Sequence, residues 1–290
     1  MLRQQFLQEI ESARLMLHAS GYKSIDYICN AIHNGNFVPE IVEQTIISTH
    51  GELLSDNESG QQFKNPFDSW EAGSIAIIPL SGVMMKYGYW WSYGVDDIAA
   101  IIRLAYESDK ISAVIVKGDT PGGNTDSLFL LQEVLSEKKK PTIGFVDGMC
   151  ASCGYIAFSY MDKIYSINKM ARVGGIGVFA RMLVPNEEQS YYKTFEAYPN
   201  ESKDKNLPER EMAKGNDKLM KEELSKLALY FREIVTANRP GISEETLTGK
   251  TYYSYEAETL GMIDGIRSLS EVIDELTTLT ENRKQILSNL

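Results

Sequence analysis

The chain has 290 residues, 43% of them hydrophobic and 24% charged, and a formal net charge of −11. That length and apolar content provide for one large domain or two modest ones with an ample core. The acidic balance argues against a nucleic-acid partner, which needs clustered Lys and Arg, and no apolar run approaches the ~20 residues that give stable membrane insertion.

Residues 1–50 read as a helical N-terminal leader. Charges thread through the apolar positions of MLRQQFLQEIESARLMLHASGYKS, which predicts an amphipathic helix and not a signal peptide, and hence a cytoplasmic protein. Residues 51–73, rich in Gly, Ser, Asn and Asp, read as a polar linker. From residue 74 to 290 short β-branched runs alternate with helical periodicity. SIAIIPL (74–80), AVIVKG (113–118) and PTIGFV (141–146) are buried-type strands. Between them, VDDIAAIIRLAYES (95–108) is a helix with Asp96 and Asp97 at the positive end of its dipole, and TDSLFLLQEVLSEKKK (125–140) is a second helix closing on lysines. SCGYIAFSYM reads as helix, and KIYSI, ARVGGIGVFA and YYKTFEA as further extended segments. A long charged amphipathic helix is predicted over 209–238, followed by two helical pieces around a Gly261–Gly265 turn. Strands alternating with helices imply βαβ crossovers, an α/β fold with a mostly parallel sheet and flanking helices. The aromatic segment YGYWWSYG (87–94) either lines an interface or substrate groove or folds its rings into the core.

Three short constellations could carry chemistry. Cys150 and Cys153 stand at C-x-x-C spacing within GMCASCGY (148–155). A redox pair needs a low-pKa thiol and a structural zinc needs four ligands; only Cys29 and distant histidines could complete a set. Two small buried thiols packing a tight turn is the plainer reading, with no metal and no cofactor expected. Ser152, between them, follows a strand and opens a helix. It is either an ordinary N-cap or a nucleophile, with the Cys153 N–H placed to bind an oxyanion. In DTPGGNTDS (119–127), Pro121 sets a turn, and Gly122 and Gly123 expose backbone N–H groups at the mouth of the next helix. This is a plain turn, a phosphate cradle without its basic partner, or an oxyanion loop. Both segments follow parallel strands, whose C-terminal ends converge on one crevice. A serine needs a base. All three histidines, His18, His33 and His50, lie by residue 50 and would require a long fold-back. A buried lysine is the alternative, and AYPNESKDKNLPE (197–209) offers Lys203 and Lys205, each of which could equally be solvated.

Four stretches, in order, carry a resemblance: VIVKGDTPGGN, CASCGYIAFSYMDKIYS, RVGGIGVFA and YSYEAETLGMIDGI. Together they resemble the signal peptide peptidase A (protease IV) family of serine peptidases, which has the crotonase-like fold of the Clp protease subunit. The resemblance implies a serine endopeptidase with a Ser–Lys dyad. It makes Ser152 the nucleophile and puts the base at Lys203, where Lys-Asp is followed by Pro208, with Lys205 second. It also implies oxyanion donors from the backbone of Gly122 or Gly123 and of Cys153, a protein or peptide substrate, and homo-oligomeric rings. A single catalytic copy behind a leader looks like the phage or prophage branch, which cuts scaffold and capsid proteins. The chain departs from the family's G-S-I-G-V strand at Gly175, where a serine hydroxyl would hold the lysine. That departure implies a water substitute, weak activity or lost catalysis. The competing readings are a crotonase-type acyl-CoA enzyme and a catalytically weakened scaffold on the same fold.

Overall fold

Near-continuous buried runs of β-branched residues build the centre of the molecule. The computed structural model describes residues 14–17, 47–48, 65–88, 93–181 and 196–288. In chain order the strands are β1 (Arg14–Leu17), β2 (Ile47–Ser48), β3 (Ser74–Met84), β4 (Ile111–Asn124), β5 (Thr142–Ala151), β6 (Lys163–Ser166), β7 (Arg172–Gly174), β8 (Phe179–Ala180), β9 (Thr251–Tyr253) and β10 (Gly265–Ile266). The α-helices are α1 (Val95–Glu107), α2 (Thr125–Ser136), α3 (Cys153–Ser159), α4 (Leu207–Ala213), α5 (Lys218–Asn238), α6 (Ser254–Thr259) and α7 (Leu269–Ser288). Strands β3, β4, β5, β6 and β10 pair in parallel, and β7 adds in parallel to the far end of β5. The expected α/β architecture with a mostly parallel sheet is therefore present.

Alternate residues of the central strands enter two apolar layers, as a sheet covered on both faces requires. Ala76, Ile78, Val114 and Val116 pack with the buried faces of α1, α2 and α3. Ile75, Ile77, Ala113, Ile115, Ile143 and Phe145 pack against Val272 and Leu276 of α7. Phe158 of α3 lies flat over the strands because Gly118 and Gly144 leave it room: a Cβ on either would come within 2.6 Å of its ring.

Three expectations need correction. Within the segment expected to be a helical leader, Arg14–Leu17 and Ile47–Ser48 are extended and pair antiparallel with β4 and β3; the rest lies outside the described residues. Free sheet edges offer those backbones a partner, and tertiary pairing overrides helical periodicity. The polar linker ends as a packed element. Pro66–Ser69 forms a 3-10 turn capped by Asn65, which also donates to the Leu104 carbonyl (2.7 Å), and Phe67 is buried in the core. The long helix expected over 209–238 is two helices, because Gly215 adopts φ +88 between them and Asp217 restarts the second. The segments YGYWWSYG and YYKTFEA lie partly outside the described residues.

Candidate active site

Ser152 sits between the end of β5 and the start of α3, with φ 60 and ψ −125. A side-chain-bearing residue in that region costs of order 1–3 kcal/mol and persists only where the surroundings fix it. The Ser152 N–H donates to the Gly174 carbonyl (2.6 Å), and the Ser152 carbonyl accepts from Ile156 N–H (3.1 Å). Every residue of α3 is buried, which anchors the other side of the turn. The Ser152 hydroxyl makes no capping hydrogen bond, so the serine is not doing the ordinary work of an N-cap. Its side chain is nearly enclosed, with the residue 3% exposed.

The flanking cysteines are both free and fully buried. Burial pushes the Cys150 thiol well up and raises Cys153 to about 12, so neither is a thiolate at neutral pH. Their role is packing. The Cys153 sulfur lies 3.7 Å from the Gly123 carbonyl and 3.5 Å from that of Asn124, tying the first residue of α3 to the Pro-Gly-Gly loop.

That loop is the last part of β4, which runs straight through Thr120–Asn124. Thr120 is fully buried; its hydroxyl donates to the Gly82 carbonyl (2.6 Å) and accepts from Gly122 N–H (3.1 Å). The Gly122 donor is thus engaged within its own turn, at φ +93. Gly123 is required by closeness: a Cβ there would stand 1.9 Å from the Met84 carbonyl oxygen. The Asp119 carboxylate accepts from Met149 N–H (3.0 Å), and Thr120 stands in register with Cys150. A Cβ on Gly154 would meet the Thr120 methyl at 2.5 Å. The two expected loops therefore interlock beside Ser152. Sequence reasoning missed Thr120 and Asp119, which set the loop's shape.

The third wall is Gly174–Gly175, at φ +109 and +66. The Gly175 N–H donates to the Lys250 carbonyl (2.8 Å). A Cβ at Gly175 would lie 3.4 Å from the Ser152 nitrogen and 3.3 Å from the Thr251 methyl carbon. Thr251 in turn accepts a hydrogen bond from the Arg172 guanidinium, which stacks 4.8 Å over the Tyr253 ring. Arg172 and Thr251 were likewise not among the expected site residues.

Lys203 ends the 3-10 turn Asn200–Ser202, and Lys205 follows it; both are exposed. Neither ammonium group is hydrogen-bonded to Ser152. The Lys203 carbonyl accepts from the Arg210 guanidinium, which sits 3.9 Å over the Tyr198 ring and fixes the turn's backbone. The structure thus brings together Ser152, Cys153, Gly122, Gly123 and Gly175, and leaves the two lysines in solvent.

The family model for Peptidase family S49 matches residues 135–283, just over half of the sequence. The chain belongs to peptidase family S49. The matched span holds Ser152, Cys153, Gly175, Lys203 and Lys205 and begins after Gly122 and Gly123. Protease 4 of Haemophilus influenzae is 26% identical over 201 residues, covering 66% of this S49 chain and 32% of the relative. A candidate protease of Methanocaldococcus jannaschii is 24% identical over 186 residues, covering 60% of this chain and 58% of the relative. The chain therefore spans about a third of the first relative and somewhat over half of the second. Among solved structures, a mutant of the 1510-N membrane-bound stomatin-specific protease aligns with a TM-score of 0.46 at 18% identity, covering 70% of this chain and 84% of that one. A second mutant of that protease, in complex with a substrate peptide, gives 0.44 at 16% identity, covering 71% and 80%. An enoyl-CoA hydratase/isomerase family protein from Silicibacter pomeroyi gives 0.43 at 15% identity, covering 71% and 79%. Among the described residues of the S49 chain, no helix is long and apolar enough to cross a membrane, and no cluster of three or more His, Cys, Asp or Glu is placed to hold a metal ion.

Proposed function

We propose that this S49 chain is a serine endopeptidase that cuts extended protein or peptide substrates through an acyl-enzyme. Ser152 is the nucleophile and Lys203 the base, with Lys205 as the second choice. The observation that carries the reading is Ser152 itself: a strained, uncapped serine whose N–H is held by Gly174 and whose hydroxyl has no hydrogen-bond partner among the described residues, beside two glycine-rich loops. Its Oγ attacks the scissile carbonyl while the lysine takes the proton, and the same proton then passes to the leaving amine. Cys153 N–H and a backbone N–H of the Gly122–Gly123 turn hold the oxyanion. Gly123 is favoured over Gly122, whose donor Thr120 already engages. Lys203 reaches the serine when the segment 197–206 folds over the crevice.

Within this reading, copies of the chain assemble into rings and the substrates are scaffold-like proteins, as in the phage-type branch. The exposed rings of Phe129 and Tyr230, whose centroids lie 6.5 Å apart, support the self-assembly part, since adjoining exposed apolar side chains mark interaction surfaces. A sedimentation mass of one chain at micromolar concentration would remove it. Gly175 favours a second reading, a scaffold with weakened catalysis.

One experiment separates the two. Treatment with a serine-directed phosphonate, read by intact mass, should add one adduct to the wild type and none to Ser152→Ala. Cleavage of denatured casein should vanish in Ser152→Ala and fall steeply in Lys203→Ala, while the Lys205→Ala variant retains it. A lysine base also gives activity that rises toward alkaline pH. Undiminished cleavage by Ser152→Ala would refute the peptidase assignment; no adduct and no cleavage in the wild type would favour the scaffold.

A further inference from the structure

The strand β1 is paired antiparallel on both sides. Leu15, Met16 and Leu17 stand opposite Asn124, Gly123 and Gly122 of β4, while Arg14 and Leu15 stand opposite Ala180 and Phe179 of β8. The β4 residues concerned are the Pro-Gly-Gly turn that the Cys153 sulfur ties to the Ser152 elbow. Without β1, two backbone edges would face each other across a gap one strand wide, about 10 Å at two interstrand spacings. Such a gap fits an extended peptide, which adds main-chain hydrogen bonds along both edges and reads specificity through alternate side chains.

A second feature points the same way. Beside β8 lies a cavity of about 400 Å³ whose lining includes Val178, Phe179, Ala180, Met220, Leu224 and Ala228. Its walls are mostly apolar and it has room for more than one aliphatic side chain. Three of the four residues in the resident strand, Leu15, Met16 and Leu17, are themselves apolar.

We propose that the gap between β4 and β8 is a slot for one extended, apolar peptide segment, and that Arg14–Leu17 occupies it as the chain's own pseudosubstrate. The inference rests on Ser152 being the nucleophile. A substrate must displace a tethered strand whose effective concentration is of millimolar order, so the free enzyme binds substrate only through its open fraction. The signature of such a device is a raised KM with an unaltered kcat.

The test uses the full chain carrying Leu15→Pro and Met16→Pro. Consecutive residues of an antiparallel strand turn their N–H groups to opposite neighbours, so the pair removes bonding toward both β4 and β8. Amide exchange at those N–H groups of Gly122–Asn124 and of Phe179–Ala180 that face β1 should then accelerate by about tenfold or more while the centres of β4 and β5 keep their protection. KM for labelled casein should fall by about tenfold with kcat within about twofold. A synthetic peptide of residues 12–19 should restore the protection and inhibit the variant competitively. Unchanged exchange at those amides, or exchange that accelerates with KM unchanged, overturns the proposal. Should the proline pair unfold the chain, replacing Arg14–Leu17 with Gly-Ser-Gly-Ser is read by the same criteria. If no variant hydrolyses casein and Ser152 takes no phosphonate, the peptidase reading has failed; failure of the added peptide to protect the β4 and β8 amides that face β1 then rejects the slot independently.

Discussion

Gly175 offers a test with two separate readouts. Its φ of +66 lies in the left-handed region, where a side-chain-bearing residue costs about 1–2 kcal/mol. The space is tight but not closed: an added Cβ would stand 3.3 Å from the Thr251 methyl, 3.4 Å from the Ser152 nitrogen and 3.7 Å from the Ala151 Cβ. Both Gly175→Ala and Gly175→Ser should therefore lose about 1–2 kcal/mol, which at about 2–4 °C per kcal/mol lowers Tm by roughly 2–8 °C. The two variants differ only in a hydroxyl, set beside the backbone of Ser152. If Lys203 closes on the serine, that hydroxyl can accept from the ammonium, a charge-assisted bond of about 1.5–3 kcal/mol at best. Expressed fully in the transition state, the lower figure is about tenfold in kcat. Steady-state cleavage of casein and differential scanning calorimetry on wild type and both variants measure the two effects separately. Gly175→Ser should exceed Gly175→Ala in kcat by about tenfold while matching its loss of Tm. Equal kcat values in the two variants would refute the link between position 175 and the base. A Tm at or above wild type in both would refute the backbone argument.

Three further outcomes follow from the same geometry. Ser152→Gly removes the strain at φ 60 and should match or exceed Ser152→Ala in stability, with a gain of about 1 kcal/mol after the glycine's unfolded-state entropy is counted; a glycine variant that melts below the alanine variant contradicts the strain. Native Cys150 and Cys153 should resist iodoacetamide at pH 8 and react only on unfolding, as peptide mapping would read. Because burial raises the folded thiol of Cys153 from an ordinary 9.0 to about 12, the stabilisation is complete below pH 9 and is lost as pH climbs through that interval, so a Tm that holds constant from pH 9 to 12 counts against it. Gly144→Ala would drive a Cβ to 2.5 Å from the buried Phe158 ring and should cost about 1–3 kcal/mol by urea unfolding; a neutral result would mean the ring can move.

The parallel core was legible because its two periodicities are written directly into the chain. Ala76, Ile78, Val114 and Val116 alternate with Ile75, Ile77, Ala113 and Ile115, and each set meets a different layer. The break at Gly215 was hidden, since one glycine in a charged helical pattern only weakens that pattern. The extended pieces of the leader were hidden for a different reason: four residues pair where an edge exists, and edges are a property of the assembled sheet. In the site, Ser152, Cys153 and the two glycines stood out as local motifs. Thr120 did not, because its work is a hydrogen bond to Gly82, 38 residues earlier in the chain. Thr251 did not either, since its partner Arg172 lies 79 residues away. Side chains that shape a site from remote segments leave no local spacing to read.

The C-x-x-C spacing acquires a physical account from the same contacts. Cys150 is next to the last residue of β5, in register with Thr120, and Cys153 is the first residue of α3, its sulfur against the carbonyls of Gly123 and Asn124. The three-residue interval is the length of the strand-to-helix turn, and small side chains are needed at both ends because each is fully buried against the neighbouring loop. A turn pinned at both ends has little freedom in between. Ser152 is thereby forced into a conformation it would otherwise leave, and the Gly174 carbonyl takes its N–H in that conformation. The sulfurs thus act on the geometry of the turn: they hold still Ser152, whose hydroxyl has no hydrogen-bond partner among the described residues.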